Sequence, residues 1–396
     1  MFILTVFLCV YSVAMDSHLS PSAGCALKTE RYTTNVKQGD LIIAAFQQLN
    51  DIFISAGLNY RSHSDKVLCS VHNKAVFQYY RHYLAFIFAV EEINRSSWIL
   101  PNITLGYQTF DSCGSTTKSL SGALSAISGK QHNIPNFSCW GNSKVISYGA
   151  KDPIFNDRTQ FPSFYRTIPN EEAEMGGIVQ ILKHFGWKWV GLIISDDDTG
   201  YRARERISKG LLSNGGCLAF TAVLEHNSYI TEGHENRITG EIEKTTANVI
   251  VLFISTKFTY SLAHLISFNK MPPKLWITSS FITNIMTFKQ EEMETTLNGF
   301  LSIMIQAGEI PALSSSYSPS FIWGIPGKVV KTCTGNETMS EADVSVYGNH
   351  NYRVTYRVYT AVYALARALH NLYSAQPPAN HWGKLESLLK EFEPWQ

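Results

Sequence analysis

The sequence predicts an α/β protein of two lobes, each a doubly wound parallel sheet. Three observations carry this expectation. The chain has 396 residues, enough for two domains that each bury most of their unfolded surface. Short apolar runs bounded by Gly and polar residues alternate with stretches of helical periodicity, and strand-helix alternation means a parallel sheet. The alternation occurs twice, and a C-terminal helix then packs back on the first lobe. A chain that crosses between two lobes more than once makes a hinged clamshell, with a cleft outside the carboxyl ends of the strands.

In the first lobe, DLIIAAFQQL (40–49) reads as a buried strand behind Gly39. VFQYYRHYLAFIFAVEEIN (76–94) reads as an amphipathic helix of about five turns, with Val76, Tyr80, Leu84, Ile87 and Glu91 along one stripe beside Phe77 and Phe88. Its aromatic residues are read as core, not as a cofactor box. ITLGYQTFD (103–111) is the next strand, and STTKSLSGALSAIS (115–128) a helix opened by a Ser/Thr cluster.

In the second lobe, Asn170 is the expected N-cap of EEAEMGGIVQILKHFG, with Glu171, Glu172 and Glu174 at the positive helix end and Gly186 closing it. There follow a strand (WKWVGLII), a helix (GYRARERISKGLLSNGG), two strands (CLAFTAVL and NVIVLFIS), a helix (TKFTYSLAHLISFN) and a strand (KLWITSS). Trp187 and Trp189 alternate and are expected to pack on one sheet face. NYRVTYRVYTAVYALARALHNLY (351–373) is a long helix striped by Val354, Val358, Val362, Leu365 and Leu369.

Charge removes one class of partner. There are 33 basic and 32 acidic residues without segregated blocks, so no nucleic-acid footprint exists. An apolar stretch from Phe2 to Ala14 reads as a signal peptide over residues 1–15, a buried N-terminal strand being the alternative. Four N-x-S/T sequons, at Asn94, Asn102, Asn136 and Asn336, agree with secretion. Beyond the leader stand Cys25, Cys69, Cys113, Cys139, Cys217 and Cys333. In an oxidising compartment these suggest disulfides, although six cysteines allow 15 pairings. No C-x-x-C pair suggests a zinc ribbon, and no later apolar run is long enough for a membrane anchor.

Catalytic signatures are missing: there is no H-E-x-x-H, G-x-S-x-G, Walker loop or G-x-G-x-x-G after a strand. This argues against an enzyme. His350 and His381 have no second ligand at helical spacing and are read as exposed or capping residues. The run Asp196, Asp197 and Asp198 leaves three readings open: one of them caps the next helix, one contacts a ligand in the cleft, or they serve metal or acid/base chemistry. Capping carries the most weight, since adjacent residues leaving a strand cannot all aim at one cation.

At this point FPSFYRTIPNEEAEMGGIVQILKHFGWKWVGLIISDDDTG resembles the Venus-flytrap ligand-binding region of class C G-protein-coupled receptors, in particular vomeronasal type 2 and fish olfactory receptors related to the extracellular calcium-sensing receptor. FAVEEINRSSWILPNITLGYQTFDSC, KVISYGAKDP, NVIVLFIS, FLSIMIQAGEIP, TCTGNETM and YRVYTAVYALARALHNLY agree, in the family's order. The resemblance implies a type I periplasmic-binding-protein-like fold: lobe 1 over 26–168, lobe 2 over 169–306 and a return to lobe 1 over 307–396. It also implies an amino-acid-type ligand, no cofactor but Ca2+ as a modulator, and lobe closure in a receptor dimer that activates a G protein through a membrane domain.

Carried over by residue, Cys69 and Cys113 match a disulfide that staples lobe 1. Cys139 matches an interchain disulfide loop, and Cys217 matches the cysteine bonded to a following cysteine-rich domain. Cys333 matches one half of a loop disulfide whose other half is not found. Ser147, Tyr148, Gly149, Lys151, Glu171, Asp197, Thr199 and Ser280 fall on ligand positions. Three of these depart from the family. Lys151 stands where a small hydroxyl residue is usual, Thr199 replaces a ligand-contacting Tyr, and Ser280 replaces an acidic partner of the ligand's ammonium. That last change removes a charge-assisted hydrogen bond of about 1.5 to 3 kcal/mol.

A unit of about 30 residues is expected to be missing between Gly141 and Val145, taking with it the hydroxyl turn that grips the ligand carboxylate at a helix N-terminus. A second shortening lies between Pro319 and Cys333. The cysteine-rich and seven-helix domains are absent from this sequence, so the chain reads as a truncated, incomplete flytrap with impaired ligand binding. Its place is the extracellular side of the plasma membrane in an intact receptor, or secreted if the chain is complete. The alternative is a soluble secreted binding protein or decoy.

Overall fold

The computed structural model describes residues 5–8, 33–49, 51–52, 69–70, 74–112, 119–120, 122–123, 126, 144–225, 232–268, 271–280, 295–310, 313 and 352–375. In chain order the elements are β1 (Thr5–Leu8), β2 (Thr33–Lys37), β3 (Leu41–Gln47), β4 (Asp51–Ile52), β5 (Cys69–Ser70), α1 (Lys74–Arg95), β6 (Leu105–Asp111), β7 (Lys144–Ser147), β8 (Phe164–Arg166), α2 (Glu171–His184), β9 (Trp189–Ser195), α3 (Asp198–Leu212), β10 (Cys217–Leu224), α4 (Glu232–Lys244), β11 (Val249–Phe253), α5 (Thr259–Phe268), β12 (Leu275–Thr278), β13 (Leu301–Ser302) and α6 (Arg353–Ser374). The chain divides into two units. Unit 1 is Met1–Ala150, Phe155–Ile168 and Ala307–Gln396, and unit 2 is Lys151–Ile154 and Pro169–Gln306.

In unit 1 the central pair is parallel, β3 on β6 from Leu41↔Leu105 to Gln47↔Asp111, and β7 pairs β8 in parallel. β2 adds to β6 and β1 to β7, both antiparallel. In place of one expected parallel sheet there are, among the described residues, two three-stranded sheets, β2-β6-β3 and β1-β7-β8, each a parallel pair with one antiparallel edge strand, which needs no crossover helix. β1 lies within the segment read as a leader.

The two faces of β3 and β6 bury different partners, as period-two alternation requires. Leu41, Ile43, Ala45, Leu105 and Tyr107 pack with α1 and α6, while Ala44, Phe46 and Phe110 pack with Ala123 and Ala126 of the next helical segment. The sequence suggests one apolar stripe on α1. Instead Leu84 to Val90 are all buried, because Val358, Val362 and Leu365 of α6 cover a second side and Leu313 a third. A helix packed on several sides is apolar all round. Glu92 ties the helix pair at its rim, accepting hydrogen bonds from Tyr359 and Tyr363 at 2.8 Å each.

Unit 2 is a five-stranded, wholly parallel sheet in the order β10-β9-β11-β12-β13. On one face Val190, Leu192, Ile194, Val249 and Val251 meet Met175, Ile178 and Leu182 of α2 and Ala203, Ile207 and Leu211 of α3. On the other, Ile193, Ile250 and Leu252 meet α4 and α5. The chain leaves β9 outward to β10 and returns past it to β11, so the strand order reverses beside β9. The carboxyl ends of β9 and β11 thus flank a topological switch point.

Local chemistry sets the helix ends. Asn170 caps α2, its side chain accepting from the Ala173 N–H at 3.0 Å, and Gly186 follows that helix at φ +67°. α4 was not anticipated, since EGHENRITGEIEK is mostly polar; its signal is Ile238 and Ile242 at i and i+4, both buried. The two tryptophans do not share a packed face. β9 begins only at Trp189, which is 47% exposed and donates to the Thr246 hydroxyl, whereas Trp187 stacks on Phe185 before the strand. Among the described residues no helix is long and apolar enough to cross a membrane.

Two tests follow. An added Cβ at Gly200 would lie 2.0 Å from the Ser195 carbonyl oxygen, whereas at helical Gly176 it meets nothing within 4 Å. Gly200→Ala is expected to cost about 1 to 3 kcal/mol and Gly176→Ala to add about 0.5 to 1 kcal/mol, both read by urea unfolding. The Asn94 side chain holds the Leu105 backbone at both ends, donating to its oxygen at 2.9 Å and accepting from its nitrogen at 2.8 Å. Asn102 stands in an exposed turn at φ 62°. Of these two sequons, only Asn94 has its amide nitrogen engaged in such a pair with the backbone. Peptide mapping of secreted protein is expected to find glycan at Asn102 and none at Asn94.

Candidate functional site

The residues singled out in the sequence divide between the units. In unit 1, the Ser147 hydroxyl accepts from the Gly149 and Ala150 N–H groups at 3.3 and 2.8 Å, closing the turn after β7. Tyr148 is fully buried and donates to the Phe46 carbonyl at 3.3 Å. Burial pushes its phenol far up, so it stays neutral. These two side chains serve the core of unit 1. Gln47, 1% exposed at the carboxyl end of β3, was not foreseen; its amide oxygen and nitrogen have no hydrogen-bond partner among the described residues.

Unit 2 collects the rest, at the carboxyl ends of its strands and the N-terminus of α2. Glu171 and Glu174 lie one turn apart on that helix, 5% and 6% exposed. The positive helix end favours carboxylates here, but at such burial each needs donors. Glu171 takes Arg202 Nε at 2.7 Å and the Thr199 hydroxyl at 3.0 Å, and the same guanidinium reaches Asp152 Oδ2 at 3.2 Å. Burial raises the Glu171 carboxyl, and the Arg202 and Thr199 bonds offset only part of that.

Glu174 takes the Lys151 ammonium, the Ser280 hydroxyl at 2.8 Å and the Ser280 N–H at 3.3 Å. Lys151 also donates to the Ser280 hydroxyl, and its carbonyl accepts from the Glu171 N–H at 3.0 Å. Lys151, Ser280, Glu171 and Thr199 are thus brought to one helix end. The residues that join them, Glu174, Arg202 and Asp152, are the ones sequence reasoning missed. A cue was present: Glu171 and Glu174 stand at i and i+3 on a face that turns inward.

Asp197 settles which aspartate caps α3. It is Asp197 itself, not a neighbour, with Oδ1 accepting from the Gly200 N–H at 3.0 Å and the Ser195 hydroxyl at 2.7 Å. Its other oxygen accepts from the Ser255 hydroxyl at 2.7 Å and pairs with Lys257 at 3.3 Å. Burial by itself would raise the carboxyl, but the Ser255, Ser195 and Gly200 hydrogen bonds and the Lys257 charge outweigh it and hold the group below its ordinary value. Asp196 instead accepts from the Tyr201 hydroxyl at 2.8 Å, and Asp198 is exposed. Among the described residues no three His, Cys, Asp or Glu side chains gather as a metal site.

Cys217 is exposed and free at the start of β10. The Cys69 side chain, Cys25, Cys113, Cys139, Cys333, Asn136, Asn336, His350 and His381 lie outside what is described, as do the segments around the expected internal shortenings.

A family model described as the receptor family ligand binding region matches residues 81–139 and 142–395. The chain is 25% identical over 437 residues to the extracellular calcium-sensing receptor of Sus scrofa (91% of this chain, 40% of the relative). It is 28% identical over 401 residues to vomeronasal type-2 receptor 26 of Mus musculus (87% and 46%) and 25% identical over 439 residues to taste receptor type 1 member 3 of Homo sapiens (96% and 50%). The chain therefore spans half or less of the length of these relatives. All three are receptors, not enzymes, in agreement with the missing catalytic motifs.

The pH behaviour of Asp197 is testable. Its folded carboxyl titrates below the unfolded value of about 3.9, so the stability it contributes is present above that value and is lost as pH falls through the folded one. Asp197→Ala is expected to cost about 2 kcal/mol or more at pH 7. The gap from wild type should narrow below about pH 4, measured by urea unfolding between pH 3 and 7.

Proposed function

The chain belongs to the receptor family ligand-binding regions, and from that premise we propose that it is the extracellular ligand-binding region of a chemosensory class C G-protein-coupled receptor. Its ligand is of amino-acid type, and the output is closure of the two lobes, not chemistry. A ligand that prefers the closed form shifts the population toward it. In an intact receptor this acts within a dimer at the plasma membrane and reaches a G protein through a membrane domain. Ca2+ is a modulator at most.

One observation carries this reading. Polar side chains from α2, α3, the end of β9 and the segments just after β11 and β12, with Glu171, Glu174, Ser195 and Ser280 buried among them, gather at the carboxyl ends of the unit 2 strands, beside the switch point where open α/β sheets take ligands. Lys151, Glu171, Asp197, Thr199 and Ser280 are all among them or bonded to them. Their hydrogen bonds are nevertheless made within the protein, so a free α-amino acid has to displace an internal partner. Impaired binding follows from this, together with the internal shortenings suggested by the resemblance. The chain supplies about 360 of the 437 positions aligned with the Sus scrofa receptor, leaving about 77 of that relative without a counterpart.

Isothermal calorimetry of the secreted chain against the proteinogenic amino acids tests the proposal. No heat is expected at micromolar concentrations, and a micromolar Kd for any one of them would overturn the impaired-binding reading.

A further inference from the structure

We infer that Lys151 is a built-in occupant of an ammonium-binding position in unit 2, formed by the Glu174 carboxylate and Ser280, and that it excludes free primary ammonium ligands from that position. Glu174 is 6% exposed, and the cation it meets is carried by the chain itself. The Lys151 ammonium lies against both the carboxylate and the Ser280 hydroxyl. A primary ammonium has three N–H donors in a compact head, and a carboxylate beside a hydroxyl oxygen offers it complementary acceptors.

The backbone keeps this side chain in place. The segment Lys151–Ile154 groups with unit 2 although the residues on either side of it belong to unit 1. Its attachments are the Lys151–Glu174 pair, the Asp152–Arg202 pair and the bond from the Glu171 N–H to the Lys151 carbonyl. The ammonium is therefore tethered at a high effective concentration, which a dissolved amine has to match to displace it. The position also communicates with solvent, since the Lys151 side chain is 27% exposed.

Truncating Lys151 removes the cation and leaves a buried carboxylate without its counter-charge, a strongly destabilising state. The vacated volume is that of an aminoalkyl chain, so small primary ammonium ions fit by charge and by size. The inference rests on the receptor reading only for its bearing on ligand choice. The pocket itself is tested without any receptor ligand.

The experiment follows thermal unfolding of the full chain as wild type, Lys151→Ala and Lys151→Ala/Glu174→Gln. Each is titrated with methylammonium chloride and, at matched ionic strength, with tetramethylammonium chloride, which has no N–H donor. Lys151→Ala is expected to unfold at lower temperature than wild type. Methylammonium should raise that temperature saturably, by a few degrees at roughly ten times its Kd, and should leave wild type and the double variant unmoved. No saturable rise in a folded Lys151→Ala protein, or an equal rise in the double variant, overturns the inference.

Should Lys151→Ala fail to fold, amine labelling of wild type decides. Acylation of Lys151 at least tenfold slower than that of exposed Lys209 and Lys244, read by peptide mass spectrometry, supports the inference. Equal rates overturn it.

Discussion

Two carboxylates one turn apart are buried at the N-terminus of α2, and much of unit 2 is arranged to neutralise them. Glu171 and Glu174 could not remain charged at that depth without donors. The donors come from three directions: Arg202 and Thr199 from α3, Ser280 from beyond β12, and Lys151 from the short segment that visits this unit. Beneath them the apolar contacts of α2 and α3 with β9 and β11 supply the bulk of the burial. Hydrophobic packing thus sets where α2 lies, while the charges set how its first turn is joined to its neighbours.

Glu171 and Asp197 also differ in a way that distance alone does not explain. Asp197 gathers hydroxyls, a backbone N–H and an ammonium, and its carboxyl is held low despite burial. Glu171 has a guanidinium and a hydroxyl, yet burial prevails and its carboxyl is raised. Linkage gives these groups opposite signs. Ionised Asp197 favours the folded state above its unfolded pKa, whereas the ionisation of Glu171 costs stability as pH rises through its folded value. A carboxylate shared between a helix cap and three side chains is a structural part of unit 2.

What could be read from the sequence follows the range of the interaction. Strands with two buried faces, the Asn170 cap and the Gly186 stop are local patterns, and each stands where the residues place it. α4 was missed because its apolar signal is two isoleucines in a polar stretch. The burial of α1 on several sides was missed because α6, far along the chain, covers it. The site was least legible. Lys151 meets Glu174 at a separation of 23 residues and Ser280 at 129, and no periodicity encodes such a meeting. Lys151 and Ser280 each looked like the loss of a ligand contact. Together they make an internal one.

That pairing alters how specificity at these strand ends should be understood. A binding position selects by leaving particular groups unsatisfied until the right ligand arrives, and burial multiplies the cost of the wrong one. In unit 2 the acidic groups are satisfied in advance: Asp197 by its cap and Lys257, Glu171 by Arg202, and Glu174 by Lys151. A free ammonium gains little by exchanging places with a tethered one, because the bond it makes is the bond it breaks, while it alone gives up translational freedom. Discrimination against ammonium here therefore arises because the position is already filled, not because an acid is missing. A ligand that binds well must act through groups other than its ammonium, or move Lys151 to a second acceptor at no net loss.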